Sequence, residues 1–130
     1  MLRRFIYLAS IAGALVITTG CSSRPAKLTS VDDGKTISAK VGEQIVVALD
    51  GNPSTGYTWE AKDLDASMLQ QVGEASFKSS NSGLVGAGGT LTLTFKTLKT
   101  GTTALALVYH RPWEKDVKPI RSFVVTVIIK

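Results

Sequence analysis

From residue 28 onward, apolar and polar residues alternate in short runs that end at Gly, Asn or Asp. Alternation with a period of two is typical of a β-strand with one buried face, and it does not fit the longer period of a helix. The clearest runs are 44–49, 57–62, 90–95, 102–109 and 120–129. We therefore predict an all-β domain.

The segments between these runs complete the predicted fold. Asp33-Gly34 separates the runs 28–31 and 36–41 as a hairpin turn would, and residues 63–69 have room for one helical turn capped by Asp63 or Asp65. A weaker strand is predicted at 72–77, with loops at 79–89 and 111–119. This spacing predicts an immunoglobulin-like antiparallel β-sandwich of about seven to eight strands, with a small closed barrel as the alternative.

The first 20 residues have the pattern of a signal peptide. Arg3 and Arg4 precede an apolar run from Phe5 to Ile17 that only Ser10 interrupts. As a helix this run is too short to cross a hydrocarbon layer of about 30 Å. We expect it to be removed on export, although a retained segment remains an alternative.

The chain's single cysteine, Cys21, directly follows this segment. Thr18-Thr19-Gly20-Cys21 resembles a bacterial lipobox, although Thr18 stands where Leu is usual. The resemblance implies a lipid on Cys21. Residues 22–27 are polar, small and include a proline, so we predict a tether there and a folded domain over 28–130. The protein would then be a periplasmic or outer-membrane lipoprotein, with a plain secreted protein as the alternative.

Composition and charge exclude several classes of protein. Hydrophobic residues make up 44% and charged residues 19%, which fits a globular domain, and one cysteine allows no internal disulfide. The formal net charge is +5, and without Arg3 and Arg4 it is 13 − 10 = +3, with no basic cluster. We therefore expect no nucleic-acid partner, and we expect a monomer.

The residues also argue against an enzyme. The single histidine, His110, ends a predicted strand, and the single cysteine is the predicted lipid site. A nucleophile paired with a histidine base would need His110, and a zinc site lacks ligands. We predict no catalytic residue, no metal and no cofactor, and we interpret His110 as a residue that orients a loop.

Three predicted loops carry unusual residues. Each has an ordinary interpretation as a turn or a flexible connector, but Trp113 lies in a polar, proline-containing loop beside an arginine, where an exposed indole is typical of an interface. Trp59, by contrast, alternates with Tyr57 and Ala61 as a core residue would. Loops that follow alternate strands lie at the same end of a sandwich, so we expect all three together. They are Asn52-Pro53-Ser54-Thr55-Gly56-Tyr57, Leu84-Val85-Gly86-Ala87-Gly88-Gly89 and Arg111-Pro112-Trp113.

These loops, in this order on a signal-bearing β-domain, resemble the signature loops of the chagasin-like inhibitors of cysteine proteases. The resemblance spans residues 29–130, with Ser54 where the family often has Thr. It implies a reversible, non-covalent inhibitor of papain-like cysteine proteases that inserts the three loops as a wedge. The first loop would cover the catalytic cysteine and histidine, the second the non-primed side and the third the primed side. The alternative is a surface lipoprotein that binds another ligand through Tyr57 and Trp113.

Overall fold

A computed structural model of the chain describes residues 25–80 and 88–130. Within these ranges the chain folds into two packed β-sheets, with short 3₁₀ turns at Ser30–Asp32 and Pro53–Thr55. The strands are β1 (Ala26–Leu28), β2 (Thr36–Ala39), β3 (Gln44–Gly51), β4 (Thr58–Ala61), β5 (Leu69–Gln71), β6 (Ser76–Ser79), β7 (Gly89–Thr97), β8 (Gly101–His110) and β9 (Arg121–Ile129).

The first sheet has the order β1-β3-β7, and both β5 and β6 pair with the free side of β7. The second sheet has the order β2-β9-β8-β4. Neighbouring strands are antiparallel except for two parallel pairs, β1 with β3 and β2 with β9. The predicted immunoglobulin-like sandwich is confirmed, with nine strands in the described part of the chain instead of seven to eight.

The predicted hairpin at Asp33-Gly34 is wrong, because β1 and β2 belong to different sheets. The turn is bonded to β9: the Asp33 carboxylate accepts a hydrogen bond from the Val124 N–H at 2.8 Å, and the Gly34 N–H donates to the Val124 carbonyl at 2.7 Å. Residues 30–32 form a 3₁₀ turn where the end of a strand was predicted. This turn therefore carries the chain from one sheet to the other.

The segment between β4 and β6 also differs from the prediction. Residues 63–68 contain a turn and no helix, and Asp65 Oδ1 accepts a hydrogen bond from the Ser67 N–H at 3.0 Å. The Asp65 carbonyl accepts the Met68 and Leu69 N–H groups at 3.0 and 2.9 Å, so Asp65 begins this turn as predicted, although the turn does not continue as a helix. The strand predicted at 72–77 is wrong in position, because Gly73, with a φ of +69°, interrupts the edge of the sheet between β5 and β6.

The core lies between the two sheets and consists of the inward-facing residues of the alternating runs. Trp59 is 2% exposed, as the alternation at 57–61 predicts. The core residues with no exposed surface are Ile45, Val47, Leu69, Phe95, Leu105, Leu107, Val125 and Val127. This continuous apolar layer makes the sandwich a rigid support for the loops at its ends.

Several predictions lie outside the described residues: the signal peptide over 1–20, the lipid site at Cys21, and Leu84, Val85, Gly86 and Ala87 of the second loop. The described domain starts earlier than predicted, because Ala26 and Lys27, assigned to the tether, pair with β3. No helix in the described ranges is long and apolar enough to cross a membrane.

Candidate functional site

The strand ends place the first and third loops, and the described end of the second, at one end of the sandwich. Gly51, the last residue of β3, pairs with Gly89, the first residue of β7. Thr58, which begins β4, pairs with His110, which ends β8. The prediction that the three loops share one end is therefore confirmed for their described parts.

The first loop holds its own shape. The Asn52 side-chain oxygen accepts hydrogen bonds from the Ser54 N–H at 3.2 Å and from the Ser54 hydroxyl. The Asn52 carbonyl accepts the Thr55 hydroxyl at 2.6 Å, and the Gly56 N–H donates to the Pro53 carbonyl at 2.9 Å. Pro53 adds its fixed φ at the start of the turn. The exposed tip, Pro53 to Thr55, is thus a closed turn without a formal charge.

Gly56 connects the first loop to the third. Its φ of +85° lies in the left-handed region that favours glycine. A Cβ at this position would overlap the indole of Trp113, which packs directly on the glycine backbone. Trp113 is nevertheless 66% exposed, so the indole is fixed on one face and presented to solvent on the other. This agrees with its predicted role as an interface residue.

Arg111 makes the second connection between these loops. Its Nε donates to the Thr55 carbonyl at 3.1 Å, and its guanidinium carbon lies 4.6 Å from the centre of the Tyr57 ring. Its Nη1 donates to Glu114 Oε1 at 3.0 Å, and this bond raises the pKa of Arg111 above its ordinary value. Glu114 was not among the predicted site residues, although it follows Arg111 by three residues, the spacing of a pair within one turn.

The second loop is described only at Gly88 and Gly89. The Ser80 N–H and hydroxyl both donate to the Gly88 carbonyl, at 3.2 and 2.7 Å, which closes the loop at its base. A Cβ on Gly89 would overlap the Lys78 carbonyl, so close strand packing requires this glycine. Among the described residues, a Cβ at Gly88 would lie 3.6 Å from the Gly51 carbonyl, an ordinary contact. Gly89 therefore has a structural role, and the close approach of Gly88 to a partner stays a prediction.

The base of the first loop is held by residues that sequence reasoning missed. The Asp50 carbonyl accepts hydrogen bonds from Trp59 Nε1 at 3.0 Å and from Arg121 Nη1 at 3.3 Å. The Asn52 N–H donates to the Tyr109 hydroxyl at 2.9 Å. Tyr109 was placed correctly on the inward face of its strand, but alternation does not say what its hydroxyl reaches.

His110 lies beside the site, and its side chain contacts Glu60 on the neighbouring strand β4. Its Nε2 is 2.9 Å from Glu60 Oε2, across the pairing of β4 with β8. In the described ranges, no three His, Cys, Asp or Glu residues lie together as metal ligands would. The contacts at this end of the sandwich are therefore those of fixed loops, with an exposed turn and an exposed indole at the surface.

Comparison with known proteins identifies the family. The family model described as chagasin family peptidase inhibitor I42 matches residues 38–127, which include all three loops. The chain belongs to the chagasin family of peptidase inhibitors. Amoebiasin-2 of Entamoeba histolytica is 34% identical over 103 residues, 79% of this chain and 84% of that protein. Chagasin of Trypanosoma cruzi is 33% identical over 93 residues, 67% of this chain and 82% of chagasin.

The fold agrees with this membership. The crystal structure of a cysteine protease inhibitor from Entamoeba histolytica matches with a TM-score of 0.71 and 34% identity. The match covers 81% of this chain and 95% of that chain. The structural match therefore spans most of both chains.

Proposed function

We propose that this protein is a reversible, tight-binding, non-covalent inhibitor of papain-like cysteine proteases, with its three loops acting as a wedge in the active-site cleft. The observation that carries the proposal is the fixed tip: Trp113 packs on Gly56, and Arg111 bonds the Thr55 carbonyl. Family membership and the similarity to a cysteine protease inhibitor at 34% identity support the same function.

The backbone of the first loop explains how the inhibitor would resist cleavage. A protease cuts a peptide that it holds with a carbonyl in line with its nucleophile and its oxyanion donors. Residues 53–55 form a 3₁₀ turn, and the Asn52 and Pro53 carbonyls accept hydrogen bonds within the loop. The turn would therefore fill the cleft above the catalytic cysteine and histidine without offering a carbonyl in that geometry.

The fixed conformation of the first loop also supports tight binding. A loop that is already fixed loses little conformational entropy on docking, and it therefore keeps more of its contact energy. The tip at Pro53 to Thr55 is uncharged, so its burial carries no cost of desolvating an ion. The indole of Trp113 supplies the large apolar contact on the primed side.

The glycine-rich loop completes the proposed wedge on the non-primed side. Among the described residues, a Cβ at Gly88 would make only an ordinary contact, 3.6 Å from the Gly51 carbonyl. Backbone amides and carbonyls near such a glycine could pair with the cleft wall as an extended peptide does. Leu84 and Val85, with Gly86 and Ala87, would supply the remaining contacts of this loop.

We further propose that the protein is exported, with residues 1–20 removed and a lipid attached at Cys21. The support is the basic and apolar pattern before Cys21. The inhibitor would then be held at a periplasmic or outer-membrane surface as a monomer. Mass spectrometry of the mature protein tests this, because a lipid adds mass to the peptide that begins at Cys21.

A titration of active papain with purified residues 22–130 tests the inhibitor function. We expect reversible inhibition in the nanomolar range, measured by residual hydrolysis of a small peptide substrate, and an inhibitor chain that stays intact. The same assay with a trypsin-like serine protease is the control and should give no inhibition. A folded sample that leaves papain fully active at micromolar concentration would overturn the proposal.

A further inference from the structure

Three aromatic rings, one in the first loop and two on strands below it, form a continuous column. We call Trp59, Tyr109 and Tyr57 the aromatic column: the Trp59 and Tyr109 ring centres are 5.1 Å apart, and those of Tyr109 and Tyr57 are 5.3 Å apart. The Arg121 guanidinium lies 5.3 Å from the Trp59 ring and 5.7 Å from the Tyr109 ring, and the Arg111 guanidinium lies 4.6 Å from the Tyr57 ring. Cation–π contacts of this geometry are attractive, so the rings and cations restrain one another.

The column is bonded to the backbone where the first loop leaves β3. Trp59 Nε1 and Arg121 Nη1 both donate to the Asp50 carbonyl, at 3.0 and 3.3 Å. The Tyr109 hydroxyl accepts the Asn52 N–H at 2.9 Å. All three side chains come from the second sheet, whereas Asp50 and Asn52 belong to β3 and the loop after it. The column therefore fixes the start of the loop across the sandwich.

From this geometry we propose that Tyr109 and Arg121, which lie outside the three loops, are positioning residues for binding. They hold the first loop of the free protein in its binding conformation and connect it through Tyr57 to Arg111 of the third loop. The proposal deepens the inhibitor function and rests on it. Neither residue needs to touch the protease, since each acts through the backbone of the loop.

This role predicts a particular kinetic signature. When only a fraction of the free inhibitor is in the binding conformation, the observed affinity falls by that fraction. The loss then appears in the association rate constant, because the bound complex is unchanged. Loss of a direct contact acts mainly on the dissociation rate constant instead.

The experiment compares Tyr109→Phe and Arg121→Gln with the wild type against papain by stopped-flow kinetics. Tyr109→Phe keeps the ring and removes only the hydroxyl. We expect the association rate constant to fall about fivefold in each variant and the dissociation rate constant to change less than about twofold. Amide exchange of the Gly56 N–H in the free protein, whose bond to the Pro53 carbonyl neither substitution touches, should accelerate by at least the same factor.

Thr97→Val is the matched control. The buried Thr97 hydroxyl bonds a turn at the opposite end of the sandwich, so its loss destabilises the fold but leaves the column intact. We expect wild-type kinetics and wild-type Gly56 exchange from this variant. Unchanged association rates in both Tyr109→Phe and Arg121→Gln, or changes confined to dissociation, would overturn the proposal. If the wild type does not inhibit papain, the proposed function fails, and Gly56 exchange still decides whether Tyr109 and Arg121 order the loop.

Discussion

At each end of the sandwich, the hydroxyl of a buried residue bonds the backbone of a connection between strands, but only one of these connections is a candidate binding loop. At the end opposite the loops, the buried Thr97 hydroxyl lies 2.6 Å from the Lys40 carbonyl and 3.1 Å from the Glu43 carbonyl, so it fixes the turn between β2 and β3. At the loop end, the Tyr109 hydroxyl accepts the Asn52 N–H at 2.9 Å. In each case a side chain from the core bonds the backbone of a connection.

The two anchored connections differ in how the chain continues. The turn at Thr97 is closed by further backbone bonds, from the Gly42 N–H to the Thr97 carbonyl and from the Thr97 N–H to the Glu43 carbonyl, both at 3.0 Å. Beyond Asn52 the chain projects into solvent, bonds within its own turn and carries an exposed indole beside it. The comparison indicates that a described connection at each end is bonded to a core side chain, and that the first loop differs in what it presents to solvent.

The largest effects are expected from replacing the two tryptophans, one on stability and the other on inhibition. Trp59→Ala removes a buried side chain and should lower the free energy of unfolding by about 3–5 kcal/mol. Trp113→Ala should leave the unfolding midpoint in denaturant unchanged within error, because the indole is 66% exposed. It should weaken papain inhibition by about thirtyfold, or roughly 2 kcal/mol. An unchanged inhibition constant for Trp113→Ala would remove this indole from the proposed interface.

Effects of intermediate size are expected for two glycines, Gly56 at the loop end and Gly42 at the closed end. Gly56 and Gly42 have φ values of +85° and +88°, but a Cβ would overlap Trp113 at Gly56 and would meet nothing within 4 Å at Gly42. Alanine at either position should cost about 1–2 kcal/mol of stability, measured by urea unfolding. Only Gly56→Ala should also weaken inhibition, by about tenfold, because it displaces the indole. Equal inhibition by the two variants would contradict a binding role for the Gly56–Trp113 contact.

Much of the fold can be predicted from alternation alone. The inward positions of β3, β7, β8 and β9 are buried as the sequence pattern predicts, and Trp59 lies in the core. The pattern gives no information on pairing: Asp33-Gly34 has the local chemistry of a hairpin, but its hydrogen bonds go to Val124, distant in sequence. The parallel pairing of β1 with β3 and of β2 with β9 was therefore missed, because it depends on contacts between separate parts of the chain.

The candidate site, like the fold, could be predicted from the sequence only in part. The exposure of Trp113 agrees with its polar, proline-containing surroundings, and the shared end of the loops agrees with the count of strands. The contacts of Tyr109, Arg121 and Glu114 have no signature in composition or spacing beyond the short separation of Arg111 and Glu114. Residues that support a loop through tertiary contacts become visible only when the sheets are assembled.

A smaller loss of stability is expected from Thr97→Val, which tests the closed end. The hydroxyl is buried and bonded to main-chain carbonyls, so its replacement by a methyl group should lower the free energy of unfolding by about 1–2 kcal/mol. We expect the inhibition constant to stay at the wild-type value, measured with the same preparation of papain. Weaker inhibition by this variant, at a temperature where it is fully folded, would mean that the two ends are coupled through the core.

The smallest expected effect is on thermal stability at low pH. Hydrogen bonds from the Ser67 hydroxyl and N–H lower the pKa of Asp65, at the closed end, below its ordinary value. A lowered pKa in the folded state gives stability that is present above the unfolded-state pKa and is lost as the pH falls through the folded-state pKa. Melting curves between about pH 6 and 2.5 should therefore show a slightly steeper loss for the wild type than for Asp65→Asn. Arg111 differs, because a guanidinium stays charged over the whole of that range whatever its partner, and the bond to Glu114 shifts its pKa further upward. Acid should thus loosen the turn at Asp65 while Arg111 stays charged, and identical melting curves for the wild type and Asp65→Asn would contradict this assignment.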